Sequence, residues 1–235
     1  MQIMGKDVII ACDFASAQQT FEFLDKFTDR KPFVKIGMEL FYAEGPQIVR
    51  DIKARGHKIF LDLKLHDIPN TVKKSMAVLR NLDVDMTNLH AAGTGRMMSA
   101  AIEGLTREDG SRPLLIAVTQ LTSTDQQIME QDLLIEKPID EVVMHYAKTA
   151  KASGLDGVVC SPLEAGKVHD ACGKEFLTVT PGVRFADGEV GDQKRVMTPE
   201  QAKQIGSDYI VVGRPITAAL NPVAAYERCV KEFCD

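Results

Sequence analysis

The chain alternates between short apolar runs and longer stretches in which apolar residues recur at helical spacing. Short apolar runs bounded by turn residues are typical of buried strands, and the amphipathic stretches between them are typical of helices. Strands that alternate with helices of about 10–15 residues indicate βαβ units around a parallel sheet. The predicted strands lie at 8–14, 33–38, 58–65, 86–91, 113–121, 157–161, 177–181 and 209–216.

The number and spacing of these runs favour one architecture. Dividing 235 residues by eight runs gives about 29 residues per unit, the size of one βαβ repeat. No linker or break in composition divides the chain. The sequence therefore predicts an α/β fold with a single domain over residues 1–235, a closed (β/α)8 TIM barrel. In such barrels the catalytic groups lie at the carboxyl ends of the strands.

Composition excludes several classes of partner. The 28 basic and 33 acidic side chains give a net charge of −5 without a basic stripe, so we expect no nucleic-acid partner. The first apolar run is too short for a signal peptide or a membrane span, so we expect no membrane partner. The five cysteines show no CxxC pair, which favours reduced thiols and a cytoplasmic location.

Common cofactor motifs are absent from the sequence. The nearest match to a dinucleotide fingerprint, Gly-Thr-Gly at 93–95, has Met98 where a third glycine should stand. No Walker-type phosphate loop occurs. His66 and His90 could bind a metal, but neither has a second ligand at the usual spacing. We therefore expect no cofactor and no metal site.

Charged side chains interrupt the third predicted strand, 58–65. Side chains alternate between the two faces of a strand, so Asp62 and Lys64 share one face and the leucines share the other. Because the leucine face should pack against helices, Asp62 and Lys64 should point into the barrel mouth. Asp13 closes the first strand and Lys35 lies in the second. Such a cluster is either a structural ion-pair network or a functional site, and two acids with two bases favour the site.

A second polar cluster, at 180–199, follows the seventh strand and contains Arg184 and Gln193. The eighth strand ends in Gly213 and Arg214. Arginine offers forked donors for a phosphate, and glycine lets backbone N–H groups approach it closely. A solvated loop would look similar, but barrels of this kind commonly bind phosphate at this position.

These residues belong to motifs that resemble those of the orotidine 5′-phosphate decarboxylase family, and the resemblance extends along essentially the whole chain. The motifs are KIGMELF at 35–41, FLDLKLHDIPNTV at 60–72, LTST at 121–124, TPGVR at 180–184, GDQKR at 191–195 and VVGRPIT at 211–217. The D-x-K-x-x-D pattern alone also resembles metal-dependent sugar-phosphate decarboxylases and synthases of the same superfamily. Those relatives carry a glutamate ligand where this chain has Lys35.

The resemblance implies decarboxylation of orotidine 5′-monophosphate to UMP and CO2 in pyrimidine biosynthesis, with no metal and no cofactor. It implies that Lys64 protonates C6 of the pyrimidine as CO2 leaves. Asp62 and Lys35 would hold Lys64 in place and contact the ribose, whose hydroxyls Asp13 would bind. The implied catalytic residues are Lys64, Asp62, Asp67 and Lys35.

The resemblance also implies a homodimer in which Asp67 and Thr71 reach the site of the other subunit. Thr122 and Ser123 would lie over the substrate, with Ser123 reading the pyrimidine edge. The implied substrate-binding residues are Asp13, Lys35, Asp62, Asp67, Ile68, Thr71, Thr122, Ser123, Pro181, Arg184, Gln193, Gly213 and Arg214.

The chemistry of such a reaction fits the charged cluster. Loss of CO2 from C6 leaves an electron pair in an sp2 orbital that cannot delocalise into the ring. An ammonium group aimed at this charge stabilises it directly, and flanking carboxylates favour the charged amine. Two alternatives stay open: a metal-dependent sugar-phosphate enzyme, and a nucleotide-binding module without turnover. Simple binding, however, gives no reason to hold an ammonium between carboxylates.

Overall fold

Eight parallel strands form a closed barrel in the computed structural model, which describes residues 6–186 and 197–235. The strands are β1 (Asp7–Ala11), β2 (Phe33–Gly37), β3 (Ile59–Leu65), β4 (Met86–His90), β5 (Leu114–Val118), β6 (Gly157–Val159), β7 (Leu177–Thr180) and β8 (Tyr209–Val212). They follow one another around the barrel in chain order, and β1 pairs with β8 to close it. The predicted (β/α)8 barrel is therefore confirmed.

Helices connect successive strands and pack against the outside of the barrel. In the described residues they are α1 (Ala17–Leu24), α2 (Met38–Glu44), α3 (Gln47–Ala54), α4 (Pro69–Leu79), α5 (Thr94–Leu105), α6 (Gln126–Asp132), α7 (Ile139–Ala152), α8 (Ala165–Cys172), α9 (Pro199–Ile205), α10 (Arg214–Thr217) and α11 (Pro222–Phe233). Within these ranges no helix combines the length and the apolar character needed to cross a bilayer.

The last strand is shorter than the predicted run 209–216. β8 ends at Val212, and α10 begins two residues later. Pro215 lies in the first turn of α10, where its missing N–H leaves no hydrogen bond unmade, whereas inside a strand it would remove one from the ladder. Gly213 and Arg214 therefore follow the strand and lie at its carboxyl end.

Two apolar layers hold the barrel together. Phe33, Phe60 and Tyr209 belong to the inner layer, which fills the barrel interior. The outer layer lies between the sheet and the helices and includes Leu61. Phe60 and Leu61 thus point to opposite sides of β3, and the predicted leucine face does pack against the helices.

Three aspartates tie the strands together at the amino end of the barrel. Asp85, Asp156 and Asp208 directly precede β4, β6 and β8, and each carboxylate accepts a backbone N–H from the strand before it. The donors are Ile59, Leu115 and Thr178, at 2.8, 2.7 and 2.8 Å. These contacts stabilise the amino end of the barrel, whereas binding and chemistry in this fold usually take place at the carboxyl end.

Candidate active site

The third strand is distorted where it carries its charged residues. β3 and β4 are in register at Leu61 with Thr87 and again at Leu65 with Leu89, so four steps along β3 span two along β4. The extra residues form a bulge, in which Lys64 adopts a φ of 51°. This left-handed conformation is costly for a residue other than glycine, and such strain is concentrated at functional sites. Asp62 and Lys64 nevertheless both line the cavity inside the barrel mouth, while Leu61, Leu63 and Leu65 pack on the outer side, as alternation along 58–65 predicts.

The structure brings together the four predicted charged groups of the first three strands. The Lys64 ammonium lies 2.7 Å from Oδ1 of Asp62, and Lys35 Nζ lies 3.4 Å from Oδ2 of the same carboxylate. Lys35 Nζ also donates to Asp13 Oδ1 at 2.9 Å. Since the side chains of Asp62 and Lys35 are only 10% and 12% exposed, these ion pairs are far better shielded from solvent than a surface network.

Attraction between the opposite charges of the cluster outweighs the cost of burying them. Burial by itself raises the pKa of the Asp62 carboxyl, but the ammonium groups of Lys35 and Lys64 outweigh it, so that pKa lies below its usual value. Burial likewise lowers the pKa of Lys35, and the carboxylates of Asp62 and Asp13 reverse this, leaving the pKa raised. Asp62 and Lys35 are therefore held as a carboxylate and an ammonium.

A cavity of about 200 Å³ lies against this cluster. Lys35, Asp62 and Lys64 form its charged wall. Much of the remaining wall is apolar and is built from the inner layer and strand ends: Phe60, Val118, Val159, Pro181 and Val211. A small cavity with apolar walls and a few convergent polar groups is the usual form of a small-molecule site.

Asn88 is a site residue that the sequence interpretation missed. It is fully buried in β4, donates from Nδ2 to Asp62 Oδ1 at 2.7 Å and accepts the backbone N–H of Lys64 at 2.9 Å. The sequence did hold a signal, because an amide among the apolar residues of the predicted strand 86–91 is unusual. Asn88 is two residues from Met86, which packs in the inner layer, so alternation places the amide inside the barrel.

Gly37 leaves space for the outer ion pair of the cluster. A Cβ atom at this position would lie 3.0 Å from Asp13 Oδ1 and 3.1 Å from Lys35 Nζ. Both distances are tighter than an ordinary van der Waals contact. The glycine in the KIGMELF motif thus permits Lys35 to reach Asp13.

The predicted phosphate-binding residues are only partly described. Arg184 follows Val183, which forms an isolated parallel bridge with Met197, so the chain on either side of 187–196 is brought together. Gly213 and Arg214 lie at the carboxyl end of β8, next to β1 in the barrel. Gln193 lies outside the described residues.

The remaining predicted substrate-binding residues divide into two groups. Thr122 and Pro181 line the cavity. Ser123, which follows Thr122 in the chain, is exposed. Asp67, Ile68 and Thr71 are exposed beyond the end of β3, and the cavity wall does not include them. Within one chain, these three residues are therefore not brought to the charged cluster.

The two histidines near the barrel mouth lie side by side. The ring centroids of His66 and His90 are 5.7 Å apart. Burial, assisted by the neighbouring His66 and Lys64, lowers the pKa of His90. Among residues 6–186 and 197–235, no three histidine, cysteine or carboxylate side chains are grouped so that they could hold a metal ion.

The fold and site define a class of protein: a (β/α)8 barrel with a compact, charged ligand site at the carboxyl ends of its strands. Residues 6–229 match the family model described as "Orotidine 5′-phosphate decarboxylase / HUMPS family". The chain belongs to the orotidine 5′-phosphate decarboxylase / HUMPS family, which confirms the family expected from the sequence motifs.

Curated relatives and solved structures agree with this family. Proteins named orotidine 5′-phosphate decarboxylase from Bacillus mycoides (strain KBAB4) and Bacillus cereus (strain B4264) are each 57% identical over 233 residues, 98% of this chain and 98% of each relative. The crystal structure of the Lactobacillus acidophilus orotidine 5′-phosphate decarboxylase is similar with a TM-score of 0.88 and 44% identity, covering 98% of this chain and 100% of that one. An uncharacterized conserved protein from Geobacillus kaustophilus has a TM-score of 0.86 and 49% identity, over 96% of this chain and 99% of its own.

Replacing Asp62 should destabilise the protein in a manner that depends on pH. At about pH 7, we expect Asp62→Asn to lower the free energy of unfolding by roughly 3–5 kcal/mol, because two lysines lose a buried partner. Since the folded-state pKa of Asp62 is depressed, its contribution is present above the ordinary value of 3.8 and is lost as the pH falls through the folded pKa. Urea unfolding across this range should therefore show the difference from the native protein narrowing in acid.

Asp140→Asn is the matched control, because Asp140 pairs with Lys167 at the surface, where the two side chains are 55% and 54% exposed. We expect this variant to change the free energy of unfolding by less than about 1 kcal/mol. A difference for Asp62→Asn that stayed constant or widened in acid would contradict the ionised, stabilising Asp62.

Proposed function

We propose that this chain decarboxylates orotidine 5′-phosphate to UMP and CO2 without a metal or an organic cofactor. The observation that carries the proposal is the buried cluster in which Asp62 contacts the ammonium groups of both Lys35 and Lys64 beside the cavity. The names of the Bacillus relatives support the same reaction. We further propose that the reaction serves pyrimidine biosynthesis in the cytoplasm.

Lys64 is the proposed proton donor. When the bond between C6 and the carboxylate breaks, its electron pair stays on C6 and CO2 leaves. The Lys64 ammonium then transfers a proton to C6, and the resulting amine takes a proton back from water. A donor already placed beside the developing charge needs no reorganisation during the reaction, and such preorganisation commonly contributes most of an enzyme's rate enhancement.

Asp62 and Lys35 have supporting roles in this proposal. The carboxylate of Asp62 accepts from Lys64 Nζ at 2.7 Å, which limits the positions that the ammonium can adopt. Lys35 balances the charge of Asp62 and is itself held by Asp13. Asp13, whose side chain is 53% exposed, remains accessible to a ribose hydroxyl.

The cavity suggests how the substrate lies. Its apolar side chains, among them Phe60 and Val211, offer a surface for the pyrimidine ring, and Thr122 lies at its edge. The phosphate would be held at the carboxyl ends of β7 and β8 by Arg184, Gln193, Gly213 and Arg214. Binding energy from a phosphate remote from C6 can be used to hold the reacting carbon in place.

We also propose a two-fold dimer that completes each site. Asp67, Ile68 and Thr71 are exposed, and the Ile68 side chain, 66% exposed, is a large apolar group at the same place. A single exposed apolar residue is ordinary at a protein surface, so the support for the dimer is the resemblance of the FLDLKLHDIPNTV motif at 60–72 to the family. Across a two-fold axis both subunits would contribute these residues in the same way.

Metal-free turnover tests the proposed reaction directly. We expect the purified protein, treated with EDTA, to convert orotidine 5′-phosphate to UMP, followed by the loss of substrate absorbance and by release of CO2. Addition of magnesium should not raise the rate. Activity that is lost on chelation and restored by magnesium would instead favour a metal-dependent enzyme, and binding of UMP without turnover would favour a binding module.

Subunit mixing tests the shared site. Lys64→Ala and Asp67→Ala should each be inactive alone. After subunit exchange about half of the dimers are mixed, and one site in each mixed dimer keeps both native residues, so roughly a quarter of all sites should recover. If both residues act from the same chain, every site carries one substitution and no activity returns. Mass spectrometry of isotopically labelled subunits serves as the independent check that the subunits have exchanged.

A further inference from the structure

The interrupted pairing of β3 with β4 leaves a gap that one side chain fills. Backbone pairing is in register at Leu61 and Thr87 and resumes only at Leu65 and Leu89. Opposite the intervening residues of β3 stands Asn88 alone. In a regular ladder the backbone of β4 would satisfy the polar groups of β3, whereas at a bulge another partner is needed.

The Asn88 amide supplies that partner with both of its ends. Its Oδ1 atom accepts the backbone N–H of Lys64 at 2.9 Å, while its Nδ2 group donates to Asp62 Oδ1 at 2.7 Å. The same Asp62 oxygen accepts from Lys64 Nζ at 2.7 Å. One buried amide thus fixes both the backbone of Lys64 and the carboxylate that anchors its ammonium.

We propose that Asn88 is a positioning residue, which holds Lys64 in its left-handed conformation and sets the position of its ammonium through Asp62. This role rests on the proposed decarboxylation, in which Lys64 must meet C6 at hydrogen-bond distance. It also accounts for a buried amide on β4, two residues beyond Met86 of the apolar inner layer.

The amide has properties that its nearest replacements lack. It carries a donor and an acceptor on one rigid group, and it is neutral, so it leaves the charge balance of the cluster unchanged. A carboxylate of the same shape would keep the acceptor for the Lys64 N–H. It would, however, face the carboxylate of Asp62 with a like charge where the amide offers a donor.

The test compares Asn88→Asp with Thr87→Val. Thr87 is also fully buried in β4, and its hydroxyl donates to Leu61 O at 2.9 Å, outside the bulge, so its loss removes one hydrogen bond between the same two strands. We expect Asn88→Asp to lower kcat for orotidine 5′-phosphate roughly 10²-fold, as for a misplaced catalytic group. The dissociation constant for UMP should change far less. Thr87→Val should lower Tm and leave kcat unchanged.

The dependence on pH separates positioning from a general loss of structure. At low pH the introduced carboxyl group is protonated and can donate to Asp62 as the amide does, so the ratio of variant to wild-type kcat should rise as pH falls. The titratable and charged groups around this position are Asp62 and Lys64 on β3, Lys35 on β2, Asp13 after β1 and His90 on β4. Both proteins carry these groups, so a change in the ratio with pH reports the introduced carboxyl group together with its coupling to the adjacent carboxylate of Asp62.

Failure of the proposed function and failure of the role of Asn88 give different results. A wild-type protein that does not turn over orotidine 5′-phosphate refutes the function itself. If the wild type is active, any of three results overturns the role of Asn88. These are an unchanged kcat in Asn88→Asp, a ratio of variant to wild-type kcat that does not depend on pH, and a loss of kcat in Thr87→Val as large as in Asn88→Asp. If Asn88→Asp does not fold, Asn88→Ser takes its place: reduced kcat with retained UMP binding supports the role, and unchanged kcat overturns it.

Discussion

A carboxylate buried between two lysine ammonium groups is the interaction on which the rest of the site depends. Without Asp62, Lys35 and Lys64 would present like charges to each other beside a largely apolar cavity, a costly arrangement. With Asp62 present, attraction between the opposite charges offsets the cost of burying them, as the lowered pKa of Asp62 and the raised pKa of Lys35 indicate. The site is therefore organised before any substrate binds, which is the condition for electrostatic stabilisation of a developing carbanion.

The barrel makes this cluster possible because it gathers residues that are distant in sequence. The carboxyl ends of β1, β2 and β3 are neighbours, so Asp13, Lys35 and Asp62 meet although they are separated along the chain. The bulge in β3 then places Lys64 on the same carboxylate at the expense of a regular ladder. Aspartates at the opposite end of the barrel hydrogen-bond to neighbouring strands, so the strained segment of β3 belongs to a barrel that is stabilised elsewhere.

Much of this could be predicted from sequence because the relevant patterns are local. Strand periodicity predicted the barrel, and alternation along 58–65 placed Asp62 and Lys64 inside its mouth. The role of Asn88 could not be read in this way, since it depends on the register between β3 and β4, a long-range property. The contribution of Asp67 and Thr71 stays a prediction for a different reason: it requires a second chain, and a single chain leaves both residues exposed.

Turnover by variants of Lys64, measured beside their affinity for UMP, tests the central claim that its ammonium is the proton donor. We expect Lys64→Ala to fold and to bind UMP but to show no measurable decarboxylation. We also expect that Lys64→Arg does not restore turnover, because a guanidinium is effectively never deprotonated. Turnover close to that of the native protein in either variant would contradict the proposed mechanism.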